Sequence, residues 1–171
     1  MPLTDEQRCN IIRAAKEWLG TPYHHMARVK KAGADCAMFP LAVYQECGVL
    51  PKDFHPPRYA MQWHLHRSDE MYLKTIEPFA QEVPAHISGA PGWRPSPADF
   101  IVFKFGRAFS HGAIVVEWPI IIHSYIPHGV LLGDALRDGE MIGREMKFFE
   151  VRTQDISPTK PAIKSSETRA G

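Results

Sequence analysis

Gly33-Ala34-Asp35-Cys36-Ala37-Met38-Phe39, continuing into Pro40-Leu41-Ala42-Val43-Tyr44-Gln45-Glu46-Cys47-Gly48, decides how this chain is read. Phe39, Val43, Tyr44 and Cys47 recur on one helical side, and Gly48 with Pro51 ends the run. The spacing predicts a helix over about 35–47 with Cys36 at its N-terminus. Pro40 stands a little beyond the first turn, where proline is best tolerated, so this helix starts late or bends. A cysteine in that position feels the positive end of the helix dipole and nearby unpaired amides. Both favour the thiolate and lower the thiol pKa. The same amides could stabilise an oxyanion forming beside the sulfur. The plainer alternative is that Cys36 is a small buried filler, as a free cysteine taken alone more often is.

Upstream, Thr4 and Gln7 have the spacing of a capping box. Ile11, Ile12, Ala15, Trp18 and Leu19 then mark one face of a helix over about 5–19, stopped by Gly20 and Pro22. The stretch 21–34 is polar and rich in His, Lys and Arg. Downstream, residues 51–97 hold just over half of the 15 prolines. They read as a long excursion around one helix at roughly 59–74, because a structureless span of that length is out of place in a compact domain.

After Pro97 the pattern changes to strands. The runs are Phe100–Phe105, 112–117 and 120–125, with weaker ones near 130–132 and 146–151. Helices first and clustered strands second predict an α+β fold with an antiparallel sheet. The expected organisation is one domain over 1–156 and a flexible tail, rich in Ser, Thr and Lys, over 157–171.

His111 starts one expected strand and His123 lies near the end of the next. A turn centred on Glu117 would set them directly opposite each other, with Cβ atoms ~5 Å apart on one face. One imidazole could then take the proton from a thiol while the other holds the first through its far nitrogen. The alternatives are a solvated strand-start residue for His111 and a polar break for His123. A histidine after three isoleucines is costly unless paired, which weakens the second. Cys9 and Cys47 lie on or beside apolar helix faces and read as packing.

Composition narrows the field. The chain has 171 residues, a formal net charge of +1, 44% hydrophobic and 23% charged residues. That is ordinary for a globular protein and gives no case for nucleic acid as a main partner. Three cysteines are too few for a disulfide framework. The opening MPLTDEQRCN has early acidic residues and no apolar core, so no secretory signal is expected there. No run reaches the ~18 apolar residues of a membrane span. His64-Leu65-His66 near Asp69 and Glu70 invites a metal reading, but residues two apart on a helix point away from each other. HExxH, CxxC, phosphate-loop and G-x-S-x-G patterns are absent. His24 and His25 read as either solvated or lining a cleft.

Several pieces together carry a resemblance. They are Trp18-Leu-Gly-Thr-Pro-Tyr23, Gly33-Ala-Asp-Cys36, Pro97-Ala-Asp-Phe100-Ile-Val-Phe, His111-Gly-Ala-Ile-Val-Val and Ile122-His123. In that order they resemble the NlpC family of cell-wall cysteine peptidases, which have a reduced papain-like fold. Tyr23-His24-His25 and Trp63-His-Leu-His-Arg67 look like the branch found in phage tails, prophages and gene-transfer agents. The resemblance implies Cys36 as nucleophile, His111 as general base and His123 as the orienting third member. It places Tyr23 beside the cysteine, shaping the oxyanion region, and gives Asp35 a role in helix capping and cleft polarity. It implies cleavage between D-γ-glutamate and a diamino acid in peptidoglycan stem peptides, without metal or organic cofactor. The chain departs from the family in having Ala37-Met38 where Ser-Gly is usual, His24-His25 where paired glycines are common, and a longer excursion at 51–97.

The expected function is therefore a cysteine peptidase acting on peptidoglycan. It would be cytoplasmic as made, carried by a phage tail or released on lysis, with tail proteins as partners. The alternatives are an amidase or acyltransferase using the same trio, and a structural tail-assembly protein with little turnover.

Overall fold

The computed structural model describes residues 1–61, 65 and 68–153. Helix α1 spans Asp5–Glu17, β1 Arg28–Val29, β2 Gly33–Ala34 and α2 Met38–Glu46. Helix α3 (Met71–Ile76), β3 (Ala80–Glu82) and α4 (Ala85–Ser88) follow. Five strands complete the chain: β4 Phe100–Phe105, β5 Ala108–Glu117, β6 Ile120–Tyr125, β7 Gly129–Asp134 and β8 Met146–Val151. The sheet has six antiparallel strands in the order β3-β8-β4-β5-β6-β7. This is the mixed helix and antiparallel-sheet class that the sequence pattern predicts.

The N-terminal helix starts where its capping box lies. The Gln7 amide donates to Thr4 Oγ1 at 3.2 Å, and the Thr4 amide donates to Gln7 Oε1 at 2.9 Å. Ile11, Ala15 and Trp18 are its buried stripe. The side chain of Arg8 joins α1 to the start of β4 through Asp99 at 2.8 Å and the Pro97 carbonyl at 2.6 Å.

The two sheet faces follow from alternation. Phe100, Val102, Ile114 and Ile122 face the helices and build the larger core with Trp18, Phe39 and Tyr44. Ile101, Phe103, Ala113, Val115 and Ile121 build a second cluster on the other face. Gly129, at φ +75°, lets β7 press against residues 21 and 22, where a Cβ would overlap the Thr21 carbonyl. The Val130 amide donates to that carbonyl at 2.8 Å, which holds the segment leading to Tyr23 against the sheet.

Two expectations are corrected here. The helix expected at 59–74 is the short α3, which begins only at Met71; residues 59–60 and 68–70 have no helical structure. Within the same excursion β3 pairs with β8 and extends the sheet, although its three residues, Ala-Gln-Glu, carry no strand signal. The Trp63–Arg67 segment, apart from Leu65, and the tail expected at 157–171 lie outside the described residues.

Candidate active site

The turn that carries Cys36 is built around one carboxylate. Asp35 is almost wholly buried, at 1% exposure. Its Oδ1 accepts the amides of Ala37 at 3.0 Å and Met38 at 2.8 Å, and its Oδ2 accepts the Met26 amide at 2.7 Å. The Tyr59 hydroxyl donates to the same carboxylate, 2.9 and 2.7 Å from its two oxygens. His25 Nδ1 stands 3.6 Å from Oδ2. The Asp35 carbonyl accepts the Phe39 amide at 3.0 Å, so helical hydrogen bonding begins at Asp35 although α2 starts at Met38. In effect Asp35 is the N-cap and Cys36 the first residue of the turn. On the other side, the Ser124 hydroxyl donates to the Ala34 carbonyl at 2.7 Å and ties the turn to β6.

The Cys36 thiol points at the backbone of β5. It donates to the Ser110 carbonyl at 3.7 Å. That carbonyl is available because Ser110 is the extra residue of a bulge: Phe103 pairs with His111, and Lys104 pairs with Phe109. Burial and the neighbouring Asp35 charge push the thiol pKa above its ordinary value, while hydrogen bonds from the Gly112 and Cys36 amides pull it back in part. The lowered pKa expected from the helix terminus alone is thus corrected. Burial is the largest cause, and Asp35 already occupies two of the helix's free amides.

His111 and His123 are brought together on one face. His111 Nε2 is 2.8 Å from His123 Nδ1, and the rings meet edge-on with centroids 5.0 Å apart. They are 5% and 3% exposed. The expected register is corrected: Ile114 pairs with Ile122 and Val115 with Ile121, with a bulge before the Trp118–Pro119 turn. Extending that ladder sets Ala113 opposite His123, and His111 lies two residues further along the same face. The long imidazoles close this diagonal. Phe105 and Tyr125 pack on His111, with ring centroids 5.2 and 5.3 Å away. Burial lowers the His123 pKa to about 4, against a smaller upward pull from Asp138. At neutral pH His123 is therefore an uncharged imidazole.

Cys36, His111, Tyr23 and His25 line one cavity of about 330 Å³. Burial, then the charges of Cys36 and Asp35, raise the Tyr23 hydroxyl pKa and keep it a neutral donor. His24 lies elsewhere, against Gly33, where a Cβ would come within 2.6 Å of its own Cβ. Tyr59 and Tyr72, both from the excursion, also form the cavity wall, and the sequence held no signal for either. Cys9 is exposed, against the expectation that it is packing; Cys47 does pack on the larger core. The metal reading of His64 and His66 falls on residues outside those described. Among the described residues no group of three or more His, Cys, Asp or Glu is arranged to hold a metal ion.

No family model and no curated protein matches the sequence. Solved structures do match in shape. The NlpC/p60 domain of the peptidoglycan hydrolase SagA superposes with a TM-score of 0.53 at 17% identity, over 82% of this chain and 96% of that one. A protein from Staphylococcus aureus described as similar to lipoprotein, of the NLP/P60 family, gives 0.56 at 20% identity over 90% of this chain. An NlpC/P60 family protein from Bacillus cereus gives 0.56 at 17% identity over 86%. The fold is that of the NlpC/P60 domain. The chain spans less than half of the Staphylococcus and Bacillus proteins, 44% and 40% of their lengths. In this NlpC/P60 fold the sheet carries both imidazoles and the turn before α2 carries the thiol. Among the described residues no helix is long and apolar enough to cross a membrane.

Proposed function

We propose that the protein is a cysteine peptidase that opens peptidoglycan stem peptides at the D-γ-glutamyl–diamino acid bond. One observation carries the reading: Cys36 and His111, the latter hydrogen-bonded to His123, line a single cavity, on a fold shared with the domain of a peptidoglycan hydrolase.

In this reading His111 takes the thiol proton as sulfur attacks the scissile carbonyl carbon. The resulting imidazolium returns that proton to the departing amine as the C–N bond breaks, leaving an acyl-enzyme. Water then attacks the thioester carbonyl, His111 takes its proton, and the thiol is regenerated. A thiol held neutral at rest fits such a concerted transfer, because an imidazolium formed beside it lowers the cost of the thiolate. His123, itself neutral, holds the His111 ring through their shared N–H. Asp35 takes the Ala37 and Met38 amides, and the Cys36 amide, which faces the sulfur, is the helix-start donor left to swing onto an oxyanion, with the Tyr23 hydroxyl a second donor at the wall. Delivery by a phage tail belongs to the same proposal and rests on the sequence resemblance alone.

The test is a digest of purified stem peptides by the wild type and Cys36→Ala, read by mass. Release of the diamino-acid fragment by the wild type alone supports the reading. Intact peptides in both digests overturn it. Phage particles carrying Cys36→Ala that penetrate hosts normally would favour a structural tail role.

A specific feature of the cavity favours acyl transfer or amide hydrolysis on an apolar substrate as the second reading. Leu41, Ile76, Phe79, Phe100 and Ile126 form much of the wall. The hydroxyls of Tyr59, Tyr72 and Ser124 are already spent on Asp35 and on backbone carbonyls. Turnover of medium-chain acyl esters in preference to stem peptides would support this second reading.

A further inference from the structure

The first turn of α2 lacks one rung. The Phe39 amide donates to the Asp35 carbonyl at 3.0 Å and the Leu41 amide to the Ala37 carbonyl at 3.4 Å. Between them, the bond from residue 40 to the Cys36 carbonyl cannot form, because Pro40 has no N–H. The carbonyl so orphaned belongs to Cys36 itself. It is part-buried, where an unmet acceptor is costly.

The Tyr72 hydroxyl supplies the missing donor, at 2.7 Å from the Cys36 carbonyl oxygen. Tyr72 comes from α3, in the excursion between residues 51 and 97. Its ring stacks on Phe100, with centroids 6.1 Å apart and planes 17° off parallel. It reaches the turn only because residue 112 is glycine. A Cβ there would overlap the Tyr72 hydroxyl and come within 2.5 Å of Phe100 Cζ. Gly112 is the immediate neighbour of His111, and its amide also faces the Cys36 sulfur. One phenol therefore sits between the turn bearing the thiol and the strand bearing the imidazole.

We propose that Tyr72 is a positioning residue for Cys36: its hydroxyl replaces the helical amide that Pro40 removes and so fixes the peptide plane that aims the sulfur. Pro40, Tyr72 and Gly112 form one device. The proline vacates the rung, the tyrosine fills it, and the glycine makes room. The proposal rests on the reading of Cys36 as nucleophile. It makes the excursion part of the active site, supplying a contact that helix α2 cannot make for itself.

The device predicts a rescue that a merely structural tyrosine would not show. Pro40→Ala restores an amide aimed at the Cys36 carbonyl. In Tyr72→Phe the ring stays and only the oxygen is lost. Peptide hydrolysis is measured with the rate of carbamidomethylation at Cys36, read by peptide mass in a Cys9→Ser background because Cys9 is exposed. Thermal unfolding confirms that each variant is folded.

Tyr72→Phe should lower kcat and the Cys36 alkylation rate about tenfold, with KM changed less than about twofold. Pro40→Ala alone should stay within about threefold of wild type, and the double variant should recover to within about threefold. A Tyr72→Phe protein with unchanged Cys36 reactivity, or a folded double variant as impaired as the single one, overturns the proposal. Should Tyr72→Phe alone fail to fold, the double variant carries its own donor and still decides: impaired reactivity there overturns the proposal. Full turnover by Cys36→Ala would instead overturn the reading of Cys36 as nucleophile, while the alkylation arm still reports on Tyr72.

Discussion

His111 and His123 share a hydrogen bond of 2.8 Å across β5 and β6 although the ladder sets them two residues out of register. The diagonal works because both side chains are long and both are buried with Phe105 and Tyr125 around them. A shorter third member would not reach. His123→Ala should therefore release the His111 ring and lower kcat about 10²-fold, and His123→Gln should retain more activity than His123→Ala. His111→Ala should cost about 10²–10⁴-fold as expected for a lost general base. Steady-state kinetics on stem peptides reads all three, and equal activity in wild type and His111→Ala would refute the assignment.

Acid should destabilise the protein through His123. Its folded pKa is lowered to about 4 from 6.5, so between those values the unfolded chain binds more protons than the folded one. This contribution is complete above pH 6.5, is lost as pH falls toward 4, and levels off below. Its size is on the order of 3 kcal/mol. Urea midpoints measured from pH 7 to pH 4 should show the slope in wild type and a shallower one in His123→Gln.

Gly133 guards the far side of the imidazole pair. A Cβ there would come within 2.8 Å of both His123 Nε2 and Asp138 Oδ2. Gly133→Ala should displace the His123 ring and lower kcat about tenfold in a protein that still folds, with unfolding measured alongside. Unchanged kinetics would show that the ring tolerates displacement.

Asp35 gathers more donors than any other side chain of the site. Asp35→Ala strands the amides of Met26, Ala37 and Met38 together with the Tyr59 hydroxyl. The expected loss is about 2–4 kcal/mol of stability. Asp35→Asn keeps one amide oxygen as acceptor and should lose less. Chemical unfolding of the three proteins checks the order.

Local pattern was sufficient for much of this fold. The Thr4–Gln7 box, the stripe of Ile11, Ala15 and Trp18, and the strand runs after Pro97 appear where their spacing puts them, except that the strand expected at 112–117 begins four residues earlier, at Ala108. These signals depend on neighbours within a few residues. The expectation failed in the excursion, where among the described residues α3 begins only at Met71 and an edge strand appeared at Ala80–Glu82. Both outcomes depend on docking partners far along the chain: Gly112 and the Cys36 turn for α3, and β8 for β3.

The sequence by itself determined the types of element, most of their order, and the cysteine at the helix start, because periodicity and capping are local physics; His111, expected to start its strand, lies instead inside β5, which begins at Ala108. Tertiary structure alone decided the diagonal meeting of the two imidazoles, the upward shift of the Cys36 thiol pKa by burial and Asp35, and the tyrosine that completes the helix start Pro40 leaves open. Bulges, desolvation and a hydroxyl arriving from 36 residues away depend on how distant segments pack, which spacing along the chain does not encode.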